Sequence, residues 1–417
     1  MEESVGNIMF YLIGNPLGHS WSVPIHNRLA DYPYQLRPTT PEELDSFMRA
    51  RHFSGLNVTI PHKKAVIPYC DELTDIARRI GAVNTVYFEG GKMVGHNTDY
   101  AGFSYLARRT GLSFAGRRVF ILGSGGTSLT ARTVAEDEGA AEVTVVSRSG
   151  EFGYDDLYAA EGEFILINTT PVGMYPNTDI SPVDLDRLPG CQGVLDVVYN
   201  PRRTRLVQDA AARGIPAAGG LAMLVAQAAF AAEKFLGGPI PAETIEETLG
   251  EITRQCTNIV LIGMPGCGKS TVGKILARLT GREFVDTDAM VEERTGRSIP
   301  AIFAEDGEET FRQLETEAVA DAGRRSGLII ACGGGAVLRE ENRRALRQNG
   351  WICRLCRPLE HLDTAGRPLS GDIDKMKAME TTRGPIYAAL ADLEAENISV
   401  PEDTSGKILA HFLQYME

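Results

Sequence analysis

The chain has 417 residues, enough for two to four domains that each bury a core of their own. Its net charge of -13 and pI near 5.2 exclude most nucleic-acid binders, because proteins that hold phosphate backbones usually present a basic face. No apolar run is long enough to span a membrane and the start lacks a basic leader, so we expect a cytoplasmic protein with no membrane partner. The seven cysteines are odd in number, which favours reduced thiols over a disulfide framework.

Residues 1–100 alternate short apolar runs, at 10–13 and 56–60, with helical stretches, which indicates a first α/β lobe. Two loop ends in this lobe carry opposite charges, Lys63 after Asn57-Val-Thr-Ile-Pro-His and Asp99 at the end of Gly95-His-Asn-Thr. Such a pair could hold substrate hydroxyls and transfer a proton, although its spacing alone favours a surface ion pair.

Residues 101–220 alternate more clearly and predict buried parallel strands, at 118–122, 142–147, 164–168 and 193–198. The loop Gly123-Ser-Gly-Gly-Thr-Ser128 follows the first of these strands and precedes a predicted helix. That setting is typical of a dinucleotide pyrophosphate bound at a helix N-terminus. Ser128 stands where the usual pattern has its third glycine.

The second strand of this domain ends in Ser147-Arg148-Ser149, where an NAD enzyme usually has an acidic residue. An arginine there favours the 2′-phosphate of NADP, while a plain surface arginine is the alternative. We therefore predict an NADP(H) site in the domain 101–220, formed by Gly123, Gly125, Gly126, Thr127, Ser128, Ser147 and Arg148.

Helical patterns at 221–235 and 241–255 follow, and we expect this region, 221–255, to return to the first lobe. An apolar run at 259–262 then begins a further α/β domain, 257–417, without a flexible linker before it. Gly263-Met-Pro-Gly-Cys-Gly-Lys-Ser270 comes next and is a complete Walker A pattern. It predicts ATP and Mg²⁺, with Lys269 on the β- and γ-phosphates and Ser270 on the metal. The predicted nucleotide contacts are Gly263, Gly266, Gly268, Lys269, Ser270 and Thr271.

The Walker pattern leaves the acceptor open, but residues downstream narrow it. Phe284-Val-Asp286-Thr-Asp288 places two carboxylates on one face at the end of a predicted strand, because residues two apart in a strand point to the same side. One carboxylate is available to Mg²⁺ and one to a hydroxyl. A triple-glycine turn follows the apolar run 328–331. Single arginines are usually solvated, but three in such settings suggest a clamp for carboxylate and phosphate groups. They are Arg312, Arg367 and Arg383.

The first 250 residues contain six ordered motifs. They are Gly14-Asn-Pro-Leu-Gly-His-Ser-Trp-Ser22 with Ile25-His-Asn27, Asn57 to Lys63, Gly81-Ala-Val-Asn-Thr85, Asn97-Thr-Asp99, the loop at Gly123, and Gly220-Leu-Ala-Met-Leu-Val-Ala-Gln227. Together these motifs resemble shikimate dehydrogenase. The resemblance implies that NADPH reduces 3-dehydroshikimate, with Lys63 and Asp99 as the catalytic pair. It also implies substrate contacts from Ser20, Ser22, Thr59, Asn84, Tyr199 and Gln227. Ser20 and Ser22, two residues apart, would share a face and offer two hydroxyls to a carboxylate. One departure is Ser20-Trp-Ser-Val-Pro24 in place of the family's Ser-Lys-Ser-Pro.

Residues 257–417 resemble shikimate kinase, which implies that Asp288 activates the acceptor hydroxyl and Asp286 assists Mg²⁺. The resemblance also implies shikimate contacts from Arg312, Gly333, Gly334, Gly335 and Arg383, and a lid from which Arg367 closes over the phosphates. Between Leu359 and Arg367 the chain is shorter than is usual in the family and lacks an arginine expected there. An adenylate kinase would leave the Asp-x-Asp, the triple glycine and the late arginines unexplained.

The two resemblances agree chemically, because shikimate is the product of the reduction and the acceptor of the phosphate. We therefore predict an α/β chain with a two-lobed dehydrogenase, containing a Rossmann-like NADP domain, and a P-loop kinase with a parallel sheet. Its partners would be small molecules, namely 3-dehydroshikimate, shikimate, NADPH and ATP, and its oligomeric state stays open. Alternatives are a kinase half that only binds ligands, and a first half that reduces quinate-like substrates with NAD.

Overall fold

The computed structural model of the chain describes residues 9–18, 20–362, 373–398 and 400–415. Within these ranges the chain divides into two compact units. Unit 1 holds the described residues up to Gly173, then Ile180–Asn200 and Asp209–Ile252. Unit 2 holds Met174–Asp179, Pro201–Gln208 and the described residues from Thr253 onward.

The strands up to Cys256 pair into two sheets. They are β1 (Phe10–Gly14), β2 (Tyr34–Pro38), β3 (Gly55–Val58), β4 (Glu72–Leu73), β5 (Thr85–Glu89), β6 (Lys92–His96), β7 (Arg118–Leu122), β8 (Glu142–Val146), β9 (Phe164–Asn168), β10 (Cys191–Asp196) and β11 (Ala217–Ala218). The helices of this part are α1 (Ser22–Leu29), α2 (Pro41–Ala50), α3 (Asp75–Ile80), α4 (Asp99–Arg109), α5 (Gly126–Asp137), α6 (Tyr154–Tyr158), α7 (Arg205–Ala212), α8 (Leu221–Leu236) and α9 (Ala242–Cys256).

The first sheet of unit 1 is mixed, in the order β2-β1-β3-β5-β6-β4. Strands β1 and β3 are parallel neighbours in which Ile13 pairs with Val58, so the loops that follow them leave the same edge of the sheet. The first residue after β3 confirms this, since Thr59 N donates to Ile13 O at 2.9 Å. A side chain at Gly14 would overlap Thr59, so glycine is required where the two loops approach each other.

The second sheet of unit 1 is entirely parallel, in the order β11-β10-β9-β7-β8, which confirms the predicted dinucleotide-type domain. Strands β7 and β9 have the predicted bounds, whereas β10 begins and ends two residues earlier than predicted. Val197 and Val198 are apolar, so the sequence pattern extended the predicted strand beyond the end of the sheet. Val197 instead lines a cavity. Val198 lies in the turn after the strand, where its N–H donates to Asp196 Oδ1 at 3.0 Å.

The predicted helical region 221–255 consists of two helices, because α8 ends at Gly237, whose φ of 69° is left-handed. Helix α8 packs against the first lobe, where the rings of Phe235 and Phe10 lie 4.8 Å apart. It also packs closely against α4, since a Cβ on Gly102 would meet Met223 O at 2.8 Å. These contacts bring the middle of α8 to the strand ends of the first lobe.

Unit 2 contains one parallel sheet with the strand order β13-β14-β12-β15-β16, which confirms the predicted parallel sheet. Its strands are β12 (Asn258–Ile262), β13 (Phe284–Asp286), β14 (Ile329–Ala331), β15 (Gly350–Cys356) and β16 (Leu393–Glu396). Its helices are α10 (Lys269–Thr280), α11 (Thr287–Thr295), α12 (Ile299–Glu305), α13 (Gly307–Arg324), α14 (Glu340–Asn349), α15 (Ile373–Leu390) and α16 (Pro401–Tyr415).

The centre of this sheet is buried on both faces, because β14 and the residues of β12 after Asn258 are apolar and have almost no exposed surface. All seven cysteines are free thiols. None of the helices in the described ranges is both long enough and apolar enough to cross a bilayer.

Candidate active sites

A cavity of about 420 Å³ opens in unit 1 at the shared edge of β1 and β3. It brings together all of the substrate and catalytic residues predicted for this half of the chain. They are Ser20, Ser22, Thr59, Lys63, Asn84, Asp99, Tyr199 and Gln227. Thr127 of the dinucleotide loop also lines the cavity, so the predicted cofactor site adjoins the predicted substrate site.

Lys63 and Asp99 form an ion pair inside this cavity, with 2.6 Å between Lys63 Nζ and Asp99 Oδ2. The side chains are only 26% and 12% exposed, so the surface ion pair that the spacing favoured is not what the structure contains. Asp99 is also the first residue of α4, where the helix dipole stabilises a negative charge. The arrangement presents an ammonium group to a ligand while a carboxylate holds it in place.

Ser20 and Ser22 lie side by side, but not because strand alternation places them on one face. Ser22 is the first residue of α1, and its backbone N–H donates to Ser20 Oγ at 3.2 Å. Ser20 Oγ in turn donates to Ser22 Oγ at 3.1 Å. The start of a helix therefore brings the two hydroxyls together at the cavity wall.

Asn84 and Gln227 meet although they are far apart in sequence. Asn84 Oδ1 accepts from Thr98 N at 2.7 Å, which fixes its amide so that Nδ2 donates to Gln227 Oε1 at 3.4 Å. Gln227 is held in turn by α8, since its Nε2 donates to Leu224 O at 2.9 Å. Both amides are thus oriented before any ligand binds.

Sequence reasoning missed Asn57, which lines the same cavity and is 5% exposed. Tyr34 Oη donates to Asn57 Oδ1 at 2.8 Å, and the Tyr34 ring stacks on His26 at 3.8 Å. The motif around Asn57 was the available signal, but its asparagine fits a strand position equally well. Burial lowers the pKa of His26 to about 3, so this imidazole is neutral at physiological pH and cannot act there as an acid.

Other wall residues were also absent from the predicted site, because an apolar or backbone contact gives a residue no chemical role that its sequence could show, even inside a motif. They are Leu12, Pro16, Leu17, Gly18, Val58, Val197, Gly220, Met223 and Leu224.

The dinucleotide loop has the shape that a pyrophosphate requires. Gly123 has a φ of 98°, which favours glycine, and a Cβ there would meet Thr170 Cγ2 at 2.9 Å. Gly125 and Gly126 face open space at the start of α5, so a phosphate can approach the backbone N–H groups. Ser128 is 2% exposed, and its hydroxyl donates to Gly125 O at 2.7 Å. This buried hydrogen bond therefore stabilises the conformation of the loop.

Arg148 follows β8 as an exposed side chain, and it has no ion pair in the part of the chain that the structure describes. Ser147 beside it is half-buried, and its N–H donates to Phe152 O at 3.1 Å. The end of this strand thus offers a guanidinium group without a carboxylate partner, which suits an anionic ligand group.

The phosphate loop of unit 2, residues 263–270, has the backbone that the Walker pattern predicts. Gly263, Gly266 and Gly268 have φ values of 138°, 81° and 97°, which side chains rarely tolerate. Lys269 is 8% exposed and folds over the loop, where its Nζ donates to Gly263 O and Met264 O at 2.9 Å each. Thr271 follows on the exposed side of α10.

Ser270 and Asp286 lie side by side, and Ser270 Oγ donates to Asp286 Oδ2 at 2.6 Å. Their hydroxyl and carboxylate oxygens are ligands of the kind that Mg²⁺ prefers. The described residues contain no group of three or more His, Cys, Asp or Glu side chains that could hold a metal ion. Proteins commonly hold Mg²⁺ through one or two side chains together with substrate phosphates.

Asp286 and Asp288 are adjacent for a different reason from the one predicted. Asp286 ends β13 and caps α11, because its Oδ1 accepts from Asp288 N at 3.1 Å. Asp288 therefore lies in the first helical turn, and strand alternation does not apply to the pair. The cap leaves Asp286 facing Ser270 and turns Asp288 toward the triple glycine.

The three glycines 333–335 make room for three different parts of the site. A Cβ on Gly333 would overlap Asp288 Oδ1 and meet Glu315 Oε1 at 2.7 Å, and one on Gly334 would meet Pro265 at 2.7 Å. A Cβ on Gly335 would overlap the Arg312 guanidinium. The turn therefore places the acid, the phosphate loop and the arginine around one point.

Arg312 is held in this site by two carboxylates and is 9% exposed. Its Nη1 donates to Glu315 Oε2 at 2.8 Å, and its Nη2 donates to Glu308 Oε1 at 3.0 Å. Burial raises the pKa of Glu315, while the Arg312 charge acts in the opposite direction. Glu315 had no predicted role, because its contact with Gly333 depends on folding.

Arg383 lies on α15 and is half-buried. Burial raises the pKa of both Glu315 and Tyr387, and the positive charge of Arg383 opposes that rise. Tyr387 Oη donates to Gly334 O at 2.5 Å, so α15 is fixed to the triple-glycine turn. Arg367 and the predicted short lid around it lie outside the described residues.

Comparison with known proteins gives a match for each half of the chain. The profile described as shikimate dehydrogenase substrate binding domain matches residues 12–86, and that described as shikimate kinase matches residues 265–416. Among curated proteins, the NADP(+) shikimate dehydrogenase of Clostridium perfringens strain 13 is 35% identical over 265 residues, which are 58% of this chain and 98% of that protein.

Solved structures give the same result. A chorismate mutase/shikimate 5-dehydrogenase fusion protein from Clostridium acetobutylicum matches with a TM-score of 0.56 at 33% identity, over 59% of this chain and 97% of that one. Shikimate 5-dehydrogenase from Thermus thermophilus, in complex with NADP(H) and shikimate, matches with a TM-score of 0.53 at 28% identity, over 58% of this chain and 99% of that one.

Proposed function

We propose roles for the residues of two reactions, because this chain belongs to the shikimate dehydrogenase family and also carries a shikimate kinase domain. It is a bifunctional enzyme of the shikimate pathway, which reduces 3-dehydroshikimate to shikimate with NADPH and then phosphorylates shikimate with ATP. The single observation that supports the first set of roles is the Lys63–Asp99 pair in the cavity of unit 1.

For the reduction, NADPH held by the loop at residues 123–128 and by Arg148 would supply the hydride that the carbonyl carbon of the substrate needs. We assign to Lys63 Nζ the proton that the carbonyl oxygen then takes up, and to Asp99 the task of holding that ammonium group. Asn84 and Gln227 would orient the substrate hydroxyls through their fixed amides, with Thr59 and Tyr199 on the same wall. Ser20 and Ser22 would offer their hydroxyls to the substrate carboxylate.

In the phosphorylation, Asp288 would accept the proton of the attacking shikimate hydroxyl. Arg312 and Arg383 would bind the substrate carboxylate beside the turn at Gly333, Gly334 and Gly335. Ser270 and Asp286 would hold Mg²⁺, which neutralises charge on the phosphates when bound. Lys269 would release its loop carbonyls to meet the phosphates, and Arg367 is proposed for the same phosphates from the lid.

The proposal also covers organisation and location. We divide the chain into a substrate-binding lobe (1–100, with 221–255 packed on it), an NADP domain (101–220) and a kinase domain (257–417). A cytoplasmic location is supported by the seven free thiols, which fit a reducing compartment.

A coupled assay tests the two reactions together. With 3-dehydroshikimate and NADPH, the absorbance of NADPH should fall, and ADP should then appear when Mg-ATP is added without external shikimate. If NADPH is consumed but no ADP forms, even with added shikimate, the proposed kinase reaction is wrong. If quinate-like ketones with NADH are reduced faster, the substrate assignment of the first half is wrong.

Replacing Arg148 with alanine should raise KM for NADPH by about tenfold while KM for NADH stays the same, because the variant loses a charged hydrogen-bond donor for the 2′-phosphate. Steady-state reduction with each nucleotide measures the effect. Arg117→Ala is the matched control, since Arg117 lies just before β7 and pairs with the exposed Glu163 at 3.6 Å. Equal losses with NADPH and NADH would contradict the 2′-phosphate role.

A further inference from the structure

Asn397 connects the end of the unit 2 sheet to the phosphate loop. It follows β16 directly, and its backbone N–H donates to Cys356 O, at the end of β15, at 2.8 Å. Its side chain is 3% exposed, and Nδ2 donates to Cys267 O at 2.7 Å. Cys267 is the loop residue two positions before Lys269, so this bond holds the loop where it bends toward α10.

The bond fixes the direction of a particular peptide group. The peptide between Cys267 and Gly268 is trans and planar, so its C=O and N–H point in opposite directions. Because Asn397 holds the carbonyl on one side, the Gly268 N–H is directed to the other side. In a Walker loop, backbone N–H groups of this kind are the donors that surround the phosphates.

The packing around Gly268 leaves this peptide little freedom. Gly268 has a φ of 97°, and any Cβ on it would overlap Asn397 Nδ2. The Cys267 carbonyl can only accept a hydrogen bond, so the Asn397 amide must face it with its NH₂ group. This requirement fixes the orientation of the Asn397 amide. Its Oδ1 is buried without a hydrogen-bond partner in the described ranges. A buried polar atom left in that state is costly, so the hydrogen bond of Nδ2 is the favourable polar contact that this side chain makes here.

We infer that Asn397 is a positioning residue for nucleotide binding, which orients the Gly268 N–H through the Cys267 carbonyl. It does not touch the transferred phosphoryl group in this role and is not a catalytic residue. The inference rests on the proposed kinase reaction, because it assigns the phosphates of ATP to this loop.

Two variants test the inference. Asn397→Ala removes the donor and should lower kcat/KM for ATP by about tenfold, the effect expected when a buried carbonyl loses its hydrogen bond. Asn397→Asp has the same shape but places a carboxylate oxygen against the Cys267 carbonyl and near the phosphates, so its loss should be larger. KM for shikimate should stay unchanged in both variants, because the triple-glycine turn and Arg312 are not attached to Asn397.

Asn258→Ala is the matched control. Asn258 is a fully buried asparagine whose Nδ2 also donates to a backbone carbonyl, Arg325 O at 2.7 Å, but it begins β12, at the opposite end of that strand from the phosphate loop. Its loss should lower the unfolding temperature of unit 2 without changing KM for ATP. Calorimetric binding of Mg-ADP adds a readout that needs no turnover, and reduction of 3-dehydroshikimate should be normal in every variant.

Weaker Mg-ADP binding in both Asn397 variants, with normal binding in Asn258→Ala, would support the inference. It is overturned if Asn397→Asp binds Mg-ADP as tightly as the unmodified enzyme, or if Asn258→Ala loses as much affinity as the Asn397 variants. If the unmodified enzyme forms no ADP from ATP and shikimate, the proposed kinase reaction fails instead, and the Mg-ADP comparison still decides the role of Asn397.

Discussion

Replacing Lys63 with alanine should lower kcat for the reduction of 3-dehydroshikimate by about 10²–10⁴-fold, the usual contribution of a general acid. Lys63 Nζ is the cation that Asp99 holds in the cavity of unit 1, at 2.6 Å. The buried imidazole of His26 cannot replace it, since a pKa of about 3 keeps that ring in its neutral form at neutral pH and His26 is not among the residues that line the cavity. Phosphorylation of added shikimate should continue at its normal rate.

The loss of NADPH absorbance under steady-state conditions measures this effect. Lys64→Ala is the matched control, because Lys64 is the next residue, is exposed and does not line the cavity. It should reduce 3-dehydroshikimate normally. A Lys63→Ala enzyme as active as the Lys64→Ala enzyme would show that Lys63 has no part in the proton transfer.

Replacing Asp288 with asparagine should lower kcat for shikimate phosphorylation, again by about 10²–10⁴-fold, because the amide cannot take the proton of the attacking hydroxyl. The shape of the side chain is retained, so the close packing of Asp288 against Gly333 should persist. We therefore expect shikimate and Mg-ADP to bind almost normally, and the reduction in unit 1 to be unaffected.

ADP release with saturating shikimate and Mg-ATP measures the second effect, and calorimetry measures binding. Asp321→Asn is the control within the same unit, since Asp321 is part of an exposed pair with Arg294 at 2.7 Å. An unchanged kcat in Asp288→Asn would contradict its role as a base. A loss of shikimate binding without a loss of kcat would make Asp288 a binding residue.

Where local backbone demands defined a motif, the sequence predicted the structure correctly. The phosphate loop illustrates this, because its glycines need φ values that other residues avoid and its lysine begins the helix that follows. Strand β7 and the loop at Gly123 also follow from neighbouring residues alone. These features depend on short-range sterics, which the residues in the motif contain in full.

The predictions that two nearby residues share one face of a strand were less successful. Both Ser22 and Asp288 lie in the first turn of a helix, so the i and i+2 spacing within Ser20–Ser22 and Asp286–Asp288 did not mean a shared strand face. In each pair, proximity comes from a side chain that accepts from the backbone at the start of a helix. A sequence pattern of two residues cannot distinguish these two geometries.

The sequence by itself therefore predicted the two nucleotide loops and the polar and charged side chains that the motifs contain, such as Lys63, Asp99 and Asp288. The tertiary structure alone decided which distant residues meet: Asn84 with Gln227, Glu315 with Gly333, and Asn397 with Cys267. The physical reason is that parallel strands end at one edge and helices pack across it, which brings together residues far apart in the chain. Such contacts have no local signal, because each partner satisfies ordinary rules for its own strand, turn or helix.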